Sequence, residues 1–422
     1  MFTSLPHTNS HSHNHKPHKA NQPAWLAMKR LQQQHGQVGL HHFQLLHLVG
    51  SGNIANVYVC KVKQQPAVEL QLPHRLYAMK VVDREASSVM NKKHRVEMEK
   101  KILRMLDHPF LPTLYAEFDA SRYSCLVMEY CPEGDLLTVL QKQPRQRLSV
   151  ASAKFYAAEV LLALEYLHAM GIIYRDLKPE NVLIQEDGHI MLSDFDLSLK
   201  CEVSPKILQL NSKIQTMDKT MKCYCSCFSV SNKHNKKKKK NSSSCKATRQ
   251  AHIPFQNDTQ FWAEPVNACS SSFVGTHEYL APEVILGLGH GSAVDWWTFG
   301  VFLYELLHGN TPFQGENNEK TLKNILEKPL RFPCRTSSSN LNQCDRREME
   351  KAHDLIRKLL MKNPKKRMGS LWGALEIKNH EFFRGVNWAL IRSVKPREIP
   401  EFKQKLINKD TTKVPDLHVD CF

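Results

Sequence analysis

A chain of 422 residues exceeds what one hydrophobic core usually serves, so two lobes with extensions are expected. Twelve cysteines without framework spacing point to a reduced, cytosolic setting, and no apolar run reaches membrane-spanning length, which limits any membrane contact to a peripheral one. The formal charge of +17 is lopsided: residues 200–249 carry twelve Lys and one Arg against Glu202 and Asp218, a net +11, so the remainder is near neutrality and no nucleic-acid partner is expected.

In chain order, residues 1–41 open with His7, His11, His13, His15 and His18 among Asn and Ser, and read as a disordered polar tail without a core. Next, Val49-Gly50-Ser51-Gly52-Asn53-Ile54-Ala55-Asn56-Val57 is a Gly-rich turn between strand-like segments, able to bring backbone N–H groups close to phosphates. Ala55 stands where a third glycine is usual, and by itself the turn reads equally well as a plain hairpin. Tyr77-Ala78-Met79-Lys80 reads as an alternating strand ending on a lysine, and the helix predicted over 94–106 offers Glu99 as its partner while Glu97 faces elsewhere. Glu129-Tyr130-Cys131 reads as a hinge whose backbone bonds adenine. Val49, Val57 and Ala78 would line an apolar slot around that base, with Met128 limiting its depth.

Residues 153–170 place Phe155, Ala158, Leu161, Leu162 and Tyr166 at helical spacing, with Ser149 or Ser152 as N-cap and Gly171 as the stop. This helix delivers Tyr174-Arg175-Asp176-Leu177-Lys178-Pro179-Glu180-Asn181, and a hairpin turning at Asp187-Gly188 leads to Asp194-Phe195-Asp196. In the phosphoryl-transfer template, Asp176 accepts the proton of the attacking hydroxyl, Asn181 and Asp194 hold Mg²⁺ on the phosphates of ATP, and Lys178 offsets charge on the moving phosphoryl group.

The basic segment follows. Ile207, Leu210, Ile214, Met217 and Met221 recur at intervals of three and four, which predicts a helix with one apolar face. Cys223, Cys225 and Cys227 then precede Lys236, Lys237, Lys238, Lys239 and Lys240. An amphipathic stretch beside polylysine suits an anionic membrane surface. Nuclear import, calmodulin binding and a merely solvated loop are the other readings. The cysteines could carry acyl chains, or join His234 on zinc, although their spacing is not a common zinc pattern. Gly275 to Glu283 (GTHEYLAPE) closes an activation segment, Glu283 is expected to pair with a buried Arg367, and residues 294–307 form a core helix.

As a set, these motifs resemble the AGC group of protein Ser/Thr kinases, and within it the plant branch typified by PINOID. The resemblance rests on Tyr174 in place of the loop histidine, Asp196 in place of the glycine of D-F-G, the run Ser272-Phe273-Val274-Gly275-Thr276-His277-Glu278-Tyr279, the long insertion before it, and Met98 to Cys131. It implies an α+β bilobal kinase fold: a β-rich N-lobe over 42–128, a mainly helical C-lobe over 129–383 containing the insertion 199–270, and an AGC-type tail over 384–422. It also implies ATP and Mg²⁺ as cofactors, and Ser272 as the regulatory phosphosite with Arg175 as its partner. Substrates would be proteins with Ser or Thr near basic residues, read by Asp135 and Glu180, Asp135 also being placed for ribose. Auxin-efflux transporters at the plasma membrane are the implied targets. Val419 stands where the first aromatic of a tail F-x-x-F would be, which puts activation by phosphoinositide-dependent kinase in doubt. A pseudokinase scaffold and a lipid-surface adaptor are the rival readings.

Overall fold

The computed structural model describes residues 16–52, 55–63, 75–89, 92–209, 259–265, 270, 272–333 and 343–396. The chain divides into two units: the larger comprises residues 1–205 and 262–422, and the smaller comprises 206–261.

The larger unit starts with α1 (Pro23–His35), followed by β1 (Phe43–Ser51), β2 (Ala55–Val62), β3 (Leu76–Asp83), α2 (Arg84–Val89), α3 (Lys93–Met105), β4 (Leu114–Ala120) and β5 (Tyr123–Glu129). The strands form an antiparallel sheet of order β1-β2-β3-β5-β4. Its register sets Val57 opposite Lys80 and Ala78 opposite Met128, which gathers the residues expected around a nucleotide into one patch of sheet. Lys80 sits inside β3 rather than at its end, because the strand runs on through Val81 and Val82, both buried, to Asp83.

Residues 16–41 depart from the coreless tail expected of them. Pro23 at the first turn starts α1, and Trp25, Met28 and Leu31, spaced three apart, bury one face against the sheet core with Tyr77 and Tyr115. Burying those side chains offsets the entropy cost of ordering the helix. Residues 1–15 lie outside the described residues.

In the C-lobe, α4 (Leu136–Lys142) precedes α5 (Val150–Ala169), whose first turn is capped by Ser149 Oγ accepting from Ser152 N at 3.1 Å. The short strands β6 (Ile172–Ile173), β7 (Val182–Ile184), β8 (Ile190–Leu192) and β9 (Leu199–Lys200) surround the loops that carry the polar motif residues. β7 pairs with β8 through the turn at Gly188, whose φ of 83° suits a residue without a Cβ. β10 (Val203–Gln209) pairs with β11 (Thr259–Pro265). Ile207 is thus in a strand, not in the amphipathic helix expected of it, and Leu210, Ile214, Met217, Met221, the three cysteines and Lys236–Lys240 lie outside the described residues.

The lobe is completed by α6 (Pro282–Ile285), α7 (Ala293–His308), α8 (Asn318–Glu327), α9 (Gln343–Leu359) and α10 (Ala374–Lys378). α7 is buried on nearly every side, Trp296, Trp297, Phe299 and Phe302 included, which fits a sequence with almost no polar face.

Candidate active site

Two clusters of polar side chains meet where β3, α3 and the loops after β6 and β8 converge. In the first, Lys80 Nζ donates to both carboxylate oxygens of Glu99, at 2.7 and 2.8 Å, and to Asp194 Oδ1 at 3.2 Å. Burial opposes the ammonium charge, but Glu99 and Asp194 outweigh it and hold Lys80 above its usual range. Glu99 is 3% exposed. Glu97, two residues away, points elsewhere and pairs with Lys100.

The second cluster centres on Asp176. Lys178 Nζ and Asn181 Nδ2 both donate to Asp176 Oδ2 at 2.9 Å, and Thr276 Oγ1 donates to Oδ1 at 3.2 Å. Lys178 also reaches Thr276 Oγ1 at 2.9 Å, so the catalytic loop and the activation segment are stitched together at the carboxylate. In the sequence Thr276 is one residue of the run Gly275 to Glu283, and nothing in its spacing marks a contact with Asp176.

Beneath the loop, the buried Asp295 carboxylate accepts from the backbone N–H groups of Tyr174 and Arg175, each at 2.8 Å, and bonds His168 at the same distance. Arg175 has φ 69°, a conformation costly for a residue with a side chain, and these bonds hold it there. The aromatics of the same helix were read as core, and Asp295 was passed over with them. Asp194 also has a left-handed backbone, at φ 55°. Asp196 is pushed up to about 6, by burial first and by Asp194 second.

Arg175 reaches the activation segment: Nε donates to Leu197 O at 2.6 Å, and Nη1 donates to Ser270 Oγ at 3.1 Å and to Ser272 Oγ at 2.9 Å. The expected Ser272 contact is therefore present, with Ser270 sharing the same guanidinium. Ser271 is outside the described residues.

The Gly-rich turn is closed by Gly52 N donating to Ala55 O at 2.8 Å and by Ser51 Oγ donating to Asn56 Oδ1 at 2.9 Å, with Gly50 opposite Val57. Asn53 and Ile54 lie outside the described residues. Val49 is exposed at the sheet edge, Val57, Ala78 and Met128 are half-buried, and Cys131 is buried with Sγ 3.7 Å from Met191 Sδ. Asp135 Oδ1 accepts from Thr138 N at 2.7 Å, so its carboxylate caps α4. Downstream, the Glu283 carboxylate takes a bidentate bond from Arg367, at 2.6 and 2.9 Å.

Residues 43–244 and 256–383 match the protein kinase domain family. "Protein kinase PINOID 2" of Arabidopsis thaliana is 52% identical over 458 residues, covering 95% of this chain and 86% of that protein. The chain belongs to the plant PINOID-type protein kinases. The PINOID 2 kinase of Oryza sativa subsp. japonica is 50% identical, covering 92% of this chain and 83% of the relative. Protein kinase PVPK-1 of Phaseolus vulgaris is 47% identical over 94% of this chain. The chain is thus a Ser/Thr protein kinase, which the fold and the order of its motifs had implied.

For this kinase the donor set fits a hard divalent cation beside a nucleotide. Asp194 presents a carboxylate that is 44% exposed, and Asn181 has its amide nitrogen engaged with Asp176, which leaves its carbonyl oxygen as a ligand. One acidic group had escaped sequence reasoning. Glu305, at the end of α7, accepts from the Tyr279 hydroxyl and lies close enough to Glu180 and Glu278 to feel both charges. Burial, chiefly, pushes its carboxyl up to about 7. The long apolar helix before it masked it as a core position.

Proposed function

We propose that this kinase transfers the γ-phosphoryl group of ATP, with Mg²⁺, to Ser or Thr hydroxyls of proteins whose flanking residues are basic. Asp176 takes the role of base for the attacking hydroxyl, its Oδ2 held by Asn181 and Lys178 and its Oδ1 by Thr276. Lys80, oriented by Glu99, binds the nucleotide phosphates. Asn181 and Asp194 would hold the metal, which when bound neutralises charge between the phosphates. Val49, Gly50, Ser51, Gly52, Asn53, Ile54, Ala55, Asn56, Val57 and Ala78 would enclose the nucleotide from above, and the backbone of Glu129 and Cys131 beside Met128 would hold the base. The observation that carries the reading is the convergence of Lys80, Glu99 and Asp194 within 3.2 Å, from a strand, a helix and a loop separated by as many as 114 positions.

The choice of basic substrates is supported by the acidic group Glu180, Glu278 and Glu305 beside the catalytic loop. Ser272, with Ser270, is the regulatory phosphosite: a phosphate there would meet Arg175 with nearly two negative charges and order the segment around Thr276. The PINOID resemblance makes auxin-efflux transporters the leading targets, at the plasma membrane. The basic run Lys236, Lys237, Lys238, Lys239 and Lys240 would supply contact with anionic lipid, and no helix among the described residues is long and apolar enough to cross a membrane. Phosphorylation of peptide arrays tests the substrate class: arginine before the acceptor should raise kcat/KM at least tenfold over the alanine analogue, roughly the value of one charged contact. Equal rates would remove it. Pelleting of the full chain with vesicles containing phosphatidylserine, but not with neutral ones, is expected for the lipid contact, and equal pelleting would contradict it.

A further inference from the structure

We infer that residues 16–19 form a strap that positions the helix carrying Glu99 and the hinge, with Lys16 and Lys19 acting as positioning residues for phosphoryl transfer. The last carbonyls of a helix have no donor within it, and they form the negative end of its dipole. α3 ends at Met105, and there the Lys16 ammonium donates to Leu103 O at 3.1 Å and to Leu106 O at 2.8 Å. Leu103 is one turn beyond Glu99, so this anchor acts on the end of the helix that aims the carboxylate at Lys80.

The next residues continue the strap. His18 N and Nδ1 contact Asp107 Oδ2 at 3.4 and 3.2 Å, and Asp107 N in turn donates to Tyr166 Oη of α5 at 3.1 Å. Lys19 Nζ lies 3.2 and 3.1 Å from the two carboxylate oxygens of Glu129, where β5 enters the hinge, and Thr113 Oγ1 holds the same carboxylate at 3.2 Å. α1 then fastens the strap: Tyr77 Oη donates to Ala24 O at 3.2 Å, and Trp25 packs 6.1 Å from Tyr115.

Both lysines are under 5% exposed. A buried ammonium is costly unless its hydrogen bonds are met, and burial lowers Lys16 to about 8. An apolar side chain would fill that space at no such cost. What the lysine adds is directed bonding to one helix end and, through Lys19, to the hinge carboxylate.

The inference rests on the role given to Lys80 and Glu99, and a double-mutant cycle on the full chain separates the two. Lys16→Met, which keeps the buried methylenes, is expected to lower kcat at saturating ATP about tenfold in the wild-type background and less than about twofold in a Glu99→Gln background, where the carboxylate it positions is gone. An undiminished kcat in the wild-type background, or the same loss in both, would overturn the strap. An undiminished kcat for Glu99→Gln alone would instead overturn the assignment beneath it. The milder Lys19→Gln is expected to raise KM for ATP about threefold or more with kcat nearly unchanged, and an unaltered KM would overturn the hinge half. Amide exchange across residues 99–106 of Lys16→Met should quicken relative to that of α7, and uniform exchange rates would count against local anchoring.

Discussion

Replacing Arg367 by Met is the sharpest perturbation of the scaffold. The guanidinium is fully buried, bonds both Glu283 oxygens at 2.6 and 2.9 Å, donates to Ala293 O at 2.7 Å and Met361 O at 3.1 Å, and stands 5.2 Å over the Trp297 ring. Methionine approximates the volume but leaves the Glu283 carboxylate, itself 3% exposed, buried without its cation. Losing one partner of a buried pair costs about 3–5 kcal/mol, a large share of the roughly 5–15 kcal/mol by which a domain is folded. The urea midpoint should fall accordingly with the m-value unchanged. Adding Glu283→Gln to Arg367→Met removes the stranded charge and should recover about 1 kcal/mol or more, because a neutral amide is cheaper to bury than an unpaired carboxylate. A single Arg367→Met variant within about 1 kcal/mol of wild type would refute the reasoning.

Other expectations follow from the same geometry. Asp295→Asn removes a charged acceptor beneath the strained Arg175, so kcat should fall more than about tenfold, with about 2–3 kcal/mol lost in urea unfolding. Glu305 has its folded pKa raised from 4.5 to about 7, so the folded chain holds the extra proton and stability should decline as pH climbs through that window. Glu305→Gln should flatten the decline between about pH 4.5 and 7 in thermal melts, and an unchanged slope would show that the carboxyl titrates normally. Ser272→Ala is expected to lower transfer activity of phosphorylated enzyme severalfold, and the double variant with Ser270→Ala further, since both hydroxyls share Arg175. Full activity in the double variant would remove the segment as a switch.

Much of the site was legible because its residues are fixed by chemistry and by order along the chain. Lys80 with Glu99 and Glu283 with Arg367 were readable as pairs and are in contact, and Asp176, Lys178 and Asn181, readable as separate roles on one loop, are bonded to one another. What escaped was set by tertiary context. Trp25, Met28 and Leu31 have helical spacing between Pro23 and Gly36, but the histidines before them gave the whole terminus the composition of a tail. Asp295 and Glu305 sit at opposite ends of a helix so apolar that its polar residues looked incidental, although one organises the catalytic loop and the other faces Glu180. Ile207 fitted a helical period, yet its segment pairs as a strand, since five apolar positions cannot fix the period when a pairing partner lies far along the chain.

The central claim is that Asp176 serves as the base of phosphoryl transfer in a site assembled by Lys80, Glu99 and Asp194. The most direct measurement is single-turnover transfer from ATP to a basic serine peptide by the full chain and by Asp176→Asn, with nucleotide affinity measured alongside. The expected result is loss of at least about a hundredfold in rate with affinity for ATP kept within a few-fold, because in the proposed role the carboxylate would meet the acceptor hydroxyl and not the phosphates. Wild-type rates in Asp176→Asn would contradict it.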